Sequence, residues 1–527
     1  MLKRIFNNTP LNLTIVLAAA ILTFLPTLKM YFYMDEWGNL YEWTHGYQYR
    51  YSVFPGEIFH FLFETFGLNA TGYYATGLVG YALSVVIFYL LVSRTLKSKL
   101  LGLIAGLVYA TCPIGINTVQ MVWTYVAEGG YPLTVALLIL LYLVVGYFQE
   151  KKIYYFILAA VCFLLFLELE PRRVFLFLPL LFLFDYFYNF KNIIPNIGFF
   201  LRQATFLLIF IAYYRYNVTL SNIILHSGVV FLSGPSTFDW QTKANFSKVA
   251  LTSAEPLISL TNILLAGPWI LLSERLKGHV DLVDIKQVYQ VVIATLSLAG
   301  LIVVLALKTK KQWGLLLLFS LGWIYANILG FYIFSSPGVN DAPHRYLSLA
   351  APGYALFVTL SIASLYTFFV RRNKKAKPML KRMFAGLLLG IIAINFLSVK
   401  INFDKFNDFH GKPARAFYKS LKEYYPTLPP DSILYFQTPP SPAVKYKLSR
   451  IYGGSNYGVP ATIAVFYPER KKEELVWATD LVKVEEFIKS DKTRIDRVFA
   501  FYYDDNGLWD KTEEVRKKLA ADLGTKL

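Results

Sequence analysis

The feature that most constrains this chain is a series of about eleven apolar runs, near 11–30, 72–93, 100–120, 131–149, 152–168, 172–190, 197–216, 288–307, 313–333, 346–370 and 379–398. A helix needs about 20 predominantly apolar residues to cross the hydrocarbon layer, and these runs are too many and too long for buried core helices of a soluble protein. Inside lipid the backbone must satisfy its own polar groups, so each crossing run is read as a helix. Only 16% of the 527 residues are charged, against about 25% in a soluble domain. The 43 Phe and 38 Tyr suit helices whose rings sit at headgroup level. The basic N-terminus and its apolar run are followed by no small-x-small cleavage site, which predicts a retained first helix rather than a signal peptide.

Charge supplies the orientation. The chain holds 52 Lys plus Arg against 34 Asp plus Glu, a net +18. In a soluble chain that excess would point to nucleic acid; here the cations cluster at the ends of apolar runs, and no nucleic-acid partner is expected. Lys3 and Arg4, then Arg94, Lys97 and Lys99, then Lys151 and Lys152, then Lys191, then Lys308, Lys310 and Lys311, then Arg371, Arg372, Lys374, Lys375 and Lys377 all fall on one side of the eleven-span layout. The positive-inside rule makes that side cytoplasmic. The N-terminus is then cytoplasmic and everything after 398 extracytoplasmic, in what is expected to be a prokaryotic plasma membrane. The lipid bilayer is the first partner, and anionic headgroups or an anionic lipid-linked substrate can exploit the same charge. The short piece 257–272, with Gly267 and Pro268, is read as interfacial or re-entrant within an outer loop, 217–287; a crossing there would force its neighbours to be reassigned. Cys112 and Cys162 have neither disulfide-framework nor zinc spacing.

The chain divides into a transmembrane domain, 1–398, and a soluble domain, 399–527. The second part is rich in Lys, Asp and Glu. SILYFQT, TIAVFYP and RVFAFYY read as strands, and PARAFYKSLKEYY and KTEEVRKKLAADL as helices, an alternation that favours a small α/β domain. GGSNYG at 453–458 has neither the preceding strand nor the following helix of a nucleotide-binding loop. The fold class expected is an all-α polytopic membrane protein with a small extracytoplasmic α/β domain at its C-terminal end.

The unusual polar residues gather in the outer loops. In YFYMDEWGNLYEW, residues 31–43, Asp35 and Glu36 are flanked by Tyr31, Tyr33, Trp37, Tyr41 and Trp43. Adjacent carboxylates repel, so one of the pair can stay protonated or the two can share a cation. They are candidates for a general base toward a hydroxyl or ligands of a divalent metal, Mg or Mn; the plain alternative is an aromatic belt with ordinary acidic contacts. Further along the same loop, 31–71, Glu57, His60 and Glu64 are spaced i, i+3, i+7 and share one stripe of an amphipathic surface helix. They are substrate contacts, metal ligands or simply the polar face of that helix. Glu128 stands beside two glycines in the next outer loop. Glu168, Glu170, Arg172 and Arg173 interrupt about forty apolar residues; charges so placed face a protein interior or polar cavity and pair with one another. The arginines, indistinguishable from each other at this point, suit a phosphate, and a Glu–Arg lock between helices is the competing reading. Asp341, His344, Arg345 and Tyr346 stand at the head of a later span, where His344 and Arg345 are candidates to hold a phosphate or a sugar hydroxyl.

With its acidic pair after the first span, surface-helix loop, about eleven spans, His344–Arg345–Tyr346 at a span head and outward soluble domain, the chain resembles the polytopic glycosyltransferases of the C-type fold (GT-C), as a distant branch. The resemblance implies a sugar donor on a polyprenyl phosphate or diphosphate and a glycan, lipid or protein acceptor at the outer face. It implies that Asp35 or Glu36 serves the acceptor hydroxyl, that Glu128 is the second acidic residue, and that Arg172 or Arg173 and Arg345 contact the donor phosphate. Members of the protein-mannosyl and aminoarabinose-transfer types carry a His and two prolines in the first loop; here the stretch is PGEIFH, with one proline, Pro55, and a displaced His60. The Trp-Trp-Asp motif of oligosaccharyltransferases is also missing. The expected function is sugar transfer from a polyprenyl-phosphate donor at the extracytoplasmic face. A transporter or flippase for a lipid-linked glycan is the alternative, though it would bury its polar residues near mid-membrane; a non-catalytic scaffold is the third.

Overall fold

The computed structural model describes residues 8–33, 36–45, 53–126, 130–169, 177–189, 197–216, 218, 253–268, 270–271, 285–334, 341–451, 458–489 and 492–524. Helix α1 (Thr9–Phe24) is prolonged by a 3-10 turn to Lys29; two short helices follow, α2 (Glu36–Thr44) and α3 (Val53–Phe66). Next come α4 (Ala70–Leu96), α5 (Lys99–Ala110), the single turn α6 (Val122–Val126), α7 (Tyr131–Glu150), α8 (Ile153–Leu169), α9 (Phe177–Tyr188) and α10 (Ile197–Tyr216). After α11 (Glu255–Leu264) the bundle is completed by α12 (Ile285–Thr309), α13 (Lys311–Phe334), α14 (Ala350–Arg372) and α15 (Lys377–Phe406).

Each expected run contains a described helix, and among the described residues seven helices are long and apolar enough to cross a membrane. The chain is therefore an integral membrane protein. Among the described residues the runs at 100–120, 152–168, 172–190 and 197–216 correspond to shorter apolar helices. The sharpest difference is at 100–120. Helix α5 has 12 residues, a rise of about 18 Å against a hydrocarbon core of about 30 Å. It stops at Ala110 because Pro113 offers no N–H and disfavours helix at Cys112, and Gly115 then turns left-handed with φ +70°. Hydropathy counts such residues as apolar without registering that they break a helix. Within residues 257–272 the ten-residue α11 ends at Leu264; beyond it Gly267 lies against Asn395 of α15, and the Ser398 hydroxyl donates to the Gly267 carbonyl at 3.0 Å.

Helix α4 packs against α1, α5, α6 and α7, and α14 against α5, α12, α13 and α15. Their close approach is marked by Gly353 under the Trp323 ring, whose indole N–H donates to the Leu349 carbonyl at 2.7 Å. Leu22, Val79, Leu208, Ile293 and Leu389 stay exposed, as a lipid-facing surface requires. At one end of the bundle Arg94 meets Glu150 and Gln149 (3.2 Å), Gln149 donates to the Tyr188 hydroxyl (2.8 Å), and Arg371 donates to the Thr309 carbonyl (2.9 Å). These basic connectors share that end. The described parts of the first loop, of residues 111–126 and of the late loop meet at the other.

Helix α15 does not end at 398. It passes through one π-helical turn, Asn407–Gly411, straight into α16 (Lys412–Tyr424), so position 398 lies inside a continuous helix. Beyond it stands a four-stranded sheet of β1 (Ser432–Gln437), β2 (Leu475–Ala478), β3 (Val498–Asp504) and β4 (Gly507–Asp510), in the order β2-β1-β3-β4. β1 pairs parallel with both β2 and β3, and β4 closes a hairpin on β3. The connecting helices are α17 (Pro442–Ile451), α18 (Gly458–Ala464), α19 (Leu481–Lys489) and, last, α20 (Thr512–Asp522). TIAVFYP, expected as a strand, is instead the buried helix α18 and the turn after it; LVWA supplies the strand. A short continuous apolar run fits a buried helix as well as a buried strand, and Pro460 sits in the first helical turn, where its missing N–H costs nothing.

One face of the sheet buries Ile433, Tyr435, Val498 and Ala500 against Val484, Ile488 and Leu519. The other buries Leu434, Phe436 and Phe501 against Phe417 and Tyr418, and this core is continuous with that of the bundle.

Candidate functional site

The site end is organised by residues 111–126, the stretch between α5 and α7. At Gly115 a Cβ would lie 2.3 Å from the Ser348 nitrogen, so only glycine admits both the left-handed turn and the neighbouring backbone. The late loop is stitched onto this turn: Gly115 N–H donates to the Ala342 carbonyl and Asn117 N–H to the Pro343 carbonyl, both at 2.8 Å, and the Thr118 hydroxyl donates to the Arg345 carbonyl at 2.7 Å. Arg345 lies against the Met121 sulfur, donates to the Tyr346 hydroxyl at 3.1 Å and sits 4.9 Å from the centre of that ring. His344 accepts from the Tyr346 N–H at 3.4 Å, so one imidazole nitrogen is committed to holding the turn.

Two residues beyond Met121, the Trp123 backbone N–H donates to both oxygens of Glu36, at 3.0 and 3.3 Å. Glu36 is fully buried. It reaches from the start of α2 across to α6, beneath Trp37, Phe32 and Tyr73, whose rings pack edge to face. A carboxylate can sit there because the donor is charge-assisted and the surrounding rings exclude water from the bond. Trp123 also packs its ring on Phe59 of α3 at 5.1 Å. Met121–Trp123 thus touches the first loop, the surface helix and the late loop at once.

The C-terminal part covers this arrangement. Tyr418 of α16 and Phe466 after α18 stack at 4.1 Å, and Trp37 packs against this pair, 4.8 Å from Tyr418 and 5.4 Å from Phe466. His45 Nε2 meets the Arg470 carbonyl at 2.7 Å, Lys472 N–H donates to the Tyr41 hydroxyl at 3.2 Å, and Arg415 donates to the Met30 carbonyl at 3.2 Å.

Of the residues singled out in the sequence, Asp35, Glu128, Glu170, Arg172 and Arg173 lie outside the described residues. Glu36, Arg345, His344 and Tyr346 come to the same end of the bundle, joined through Met121–Trp123. Glu36 is not exposed to solvent as an aromatic-rim acid would be; it is an internal anchor. Glu57 is exposed on α3, while His60 pairs with Glu64 at 3.3 Å and stacks on Trp43 at 4.9 Å, so the stripe reads as the polar face of a helix whose Phe59 and Leu62 are buried. Glu168, at the end of α8, has no exposure. Among the described residues no group of three or more His, Cys, Asp or Glu is placed to hold a metal. Sequence reasoning passed over Met121–Trp123, whose part is played by a backbone N–H, a thioether and a ring; the one available signal was Cys112-Pro113 followed by Gly115, which marks a turn inside an apolar run.

No family model matches the chain, and no curated protein does. Among solved structures, ArnT from Cupriavidus metallidurans bound to undecaprenyl phosphate overlays with a TM-score of 0.41 at 12% identity, covering 94% of this chain and 93% of that chain. The apo state of the same protein overlays with a TM-score of 0.36 at 13% identity and the same coverage. Overlaps this loose say nothing of site or substrate.

Proposed function

We propose that the chain is a membrane glycosyltransferase of the C-type-fold kind, moving a sugar from a polyprenyl-phosphate donor to an acceptor hydroxyl at the outer membrane face. The observation that carries the reading is the meeting, on Met121–Trp123, of an acid from the first loop and an arginine from the late loop, beneath a soluble cover. Inverting transfer needs a base on one side of the anomeric carbon and a cation for the departing phosphate on the other.

In this reading Asp35 takes the proton of the acceptor hydroxyl. The acceptor oxygen forms its bond to the anomeric carbon, the bond from that carbon to the phosphate oxygen breaks, and polyprenyl phosphate leaves with the electron pair. Arg345 steadies the phosphate, with Arg172 or Arg173 as the second cation. Glu36 holds the chain next to Asp35 in place. His344 and Tyr346 shape the arginine's surroundings, and Glu128 is the further acidic candidate. A divalent ion, if used, would have Asp35 and Glu36 as its candidate ligands.

The test is transfer from a panel of radiolabelled polyprenyl-phosphate sugars by purified protein in liposomes. Asp35→Asn is expected to lower turnover by about 10²–10⁴-fold, the usual worth of a general base, with the protein still folded. Turnover by D35N at the unmutated rate would sink the base assignment, and release of sugar from no donor by folded protein would sink the enzyme reading.

A further inference from the structure

The soluble part contains a second concave site, well apart in sequence from the loops above. A cavity of 820 Å³ opens at the carboxyl ends of the parallel strands β1 and β2, between α17 and α20. That size lies within the range of about 300–1,000 Å³ typical of ligand pockets. In open α/β sheets the crevice beyond the carboxyl ends of parallel strands is where ligands are held, because the loops that leave the strands there splay apart.

We infer that this cavity is a binding site for a neutral saccharide. The half-buried Trp477, at the end of β2, presents an aromatic wall beside a rim of exposed polar side chains. A flat ring offers the C–H face of a pyranose an apolar, polarisable surface. Gln437, where β1 ends, carries both donors and acceptors on one amide. The charged members of the lining balance: Lys445 and Lys518 against Asp480 and Glu514. A pocket for a phosphate or a polyanion would show an excess of cations, with arginine forks among them, and a pocket for an apolar ligand would have no such rim. A ring wall with donors and acceptors interspersed and no net charge matches a ligand whose hydroxyls each donate and accept. The lining is local to the sheet and its own helices, so the site stands whether or not the membrane part transfers a sugar.

The probes are maltotriose, cellotriose, mannotriose and chitotriose, with inorganic pyrophosphate as the anionic comparison. They are titrated onto full-length protein in lipid nanodiscs, since sugar-headed detergents would compete, and read by saturation-transfer NMR and Trp fluorescence. At least one trisaccharide is expected to bind with a Kd on the order of 1 mM or tighter. Trp477→Ala and Gln437→Ala should each weaken it at least tenfold. Gln437 is exposed at a strand end, so its variant keeps the test meaningful if Trp477→Ala fails to fold. Asp35→Asn should leave this binding unchanged, which separates the pocket from the proposed transfer chemistry. Binding of pyrophosphate without any trisaccharide, binding of none of the five probes, or saccharide binding unaffected by Q437A would each overturn the assignment.

Discussion

A carboxylate without solvent exposure is tolerated only when donors reach it, because desolvating the charge is otherwise far more costly than one bond repays. Glu36 meets that condition through the Trp123 N–H, which ties α2 to α6. Glu36→Ala removes the acceptor from a buried N–H and opens a space, an expected loss of about 1–3 kcal/mol from the bond alone. Glu36→Gln keeps an acceptor oxygen of the same reach and should recover most of that loss. Thermal unfolding of the two variants in the same nanodisc checks this: equal stability of E36A and wild type would remove the anchoring role. Nothing in the order of residues announces that Glu36, one of two neighbouring acids, spans from α2 to the backbone of α6.

At the scale of elements, the helices were legible wherever an apolar run was long and free of breakers, as in Ala70–Leu96 and Tyr131–Glu150. They were misread where composition and backbone chemistry disagree: Pro113 and Gly115 ended a run that hydropathy carried on to 120, and TIAVFYP, suited to a strand by its side chains, was taken as a helix by the space between the sheet and α2. The aromatic surplus does not sit at headgroup level alone. Tyr73, Tyr74, Tyr81, Tyr109, Tyr125 and Tyr131 are fully buried between helices, with Phe24 stacked on Tyr81 at 3.7 Å and Tyr81 against Tyr131 at 4.8 Å. Burial of such rings is also what fastens the soluble part. Trp37→Ala would leave the Tyr418–Phe466 pair without its third ring, a loss of about 3–5 kcal/mol felt first at the contact between α2 and α18. The expected readout is faster proteolysis in the 425–475 region, with the bundle intact. Unchanged cleavage would mean that the polar contacts of His45, Tyr41 and Arg415 suffice.

For the whole molecule, the separation of its two ends makes a claim about orientation. The connectors holding Arg94, Lys151, Lys308 and Arg371 share one end, and the sheet stands at the other. With those cations in the cytoplasm, Lys517 of α20 faces the outside and Lys375 the inside; both are exposed. The native Cys112 and Cys162 are buried, so single cysteines at these positions can be read without interference. In intact cells an impermeant maleimide should label Lys517→Cys at once and Lys375→Cys only after permeabilisation. The reverse pattern would invert the topology and with it the side on which any transfer takes place.

The unbroken passage from α15 through the π turn into α16 has a mechanical consequence. A flexible tether would let the soluble part find its seat by diffusion; a continuous helix works instead as a shaft with a fixed phase. Each residue of helix turns the shaft by about 100° and advances it about 1.5 Å, and the wider π turn sets that phase midway along. Arg415 finds the Met30 carbonyl, and Tyr418 the Trp37 ring, because the number of residues between the membrane and α16 is right. Shortening Asn407–Gly411 by a single residue would swing both side chains to another quadrant while leaving every helix helical, so the pose of the cover over the first loop is encoded as a count rather than as a contact.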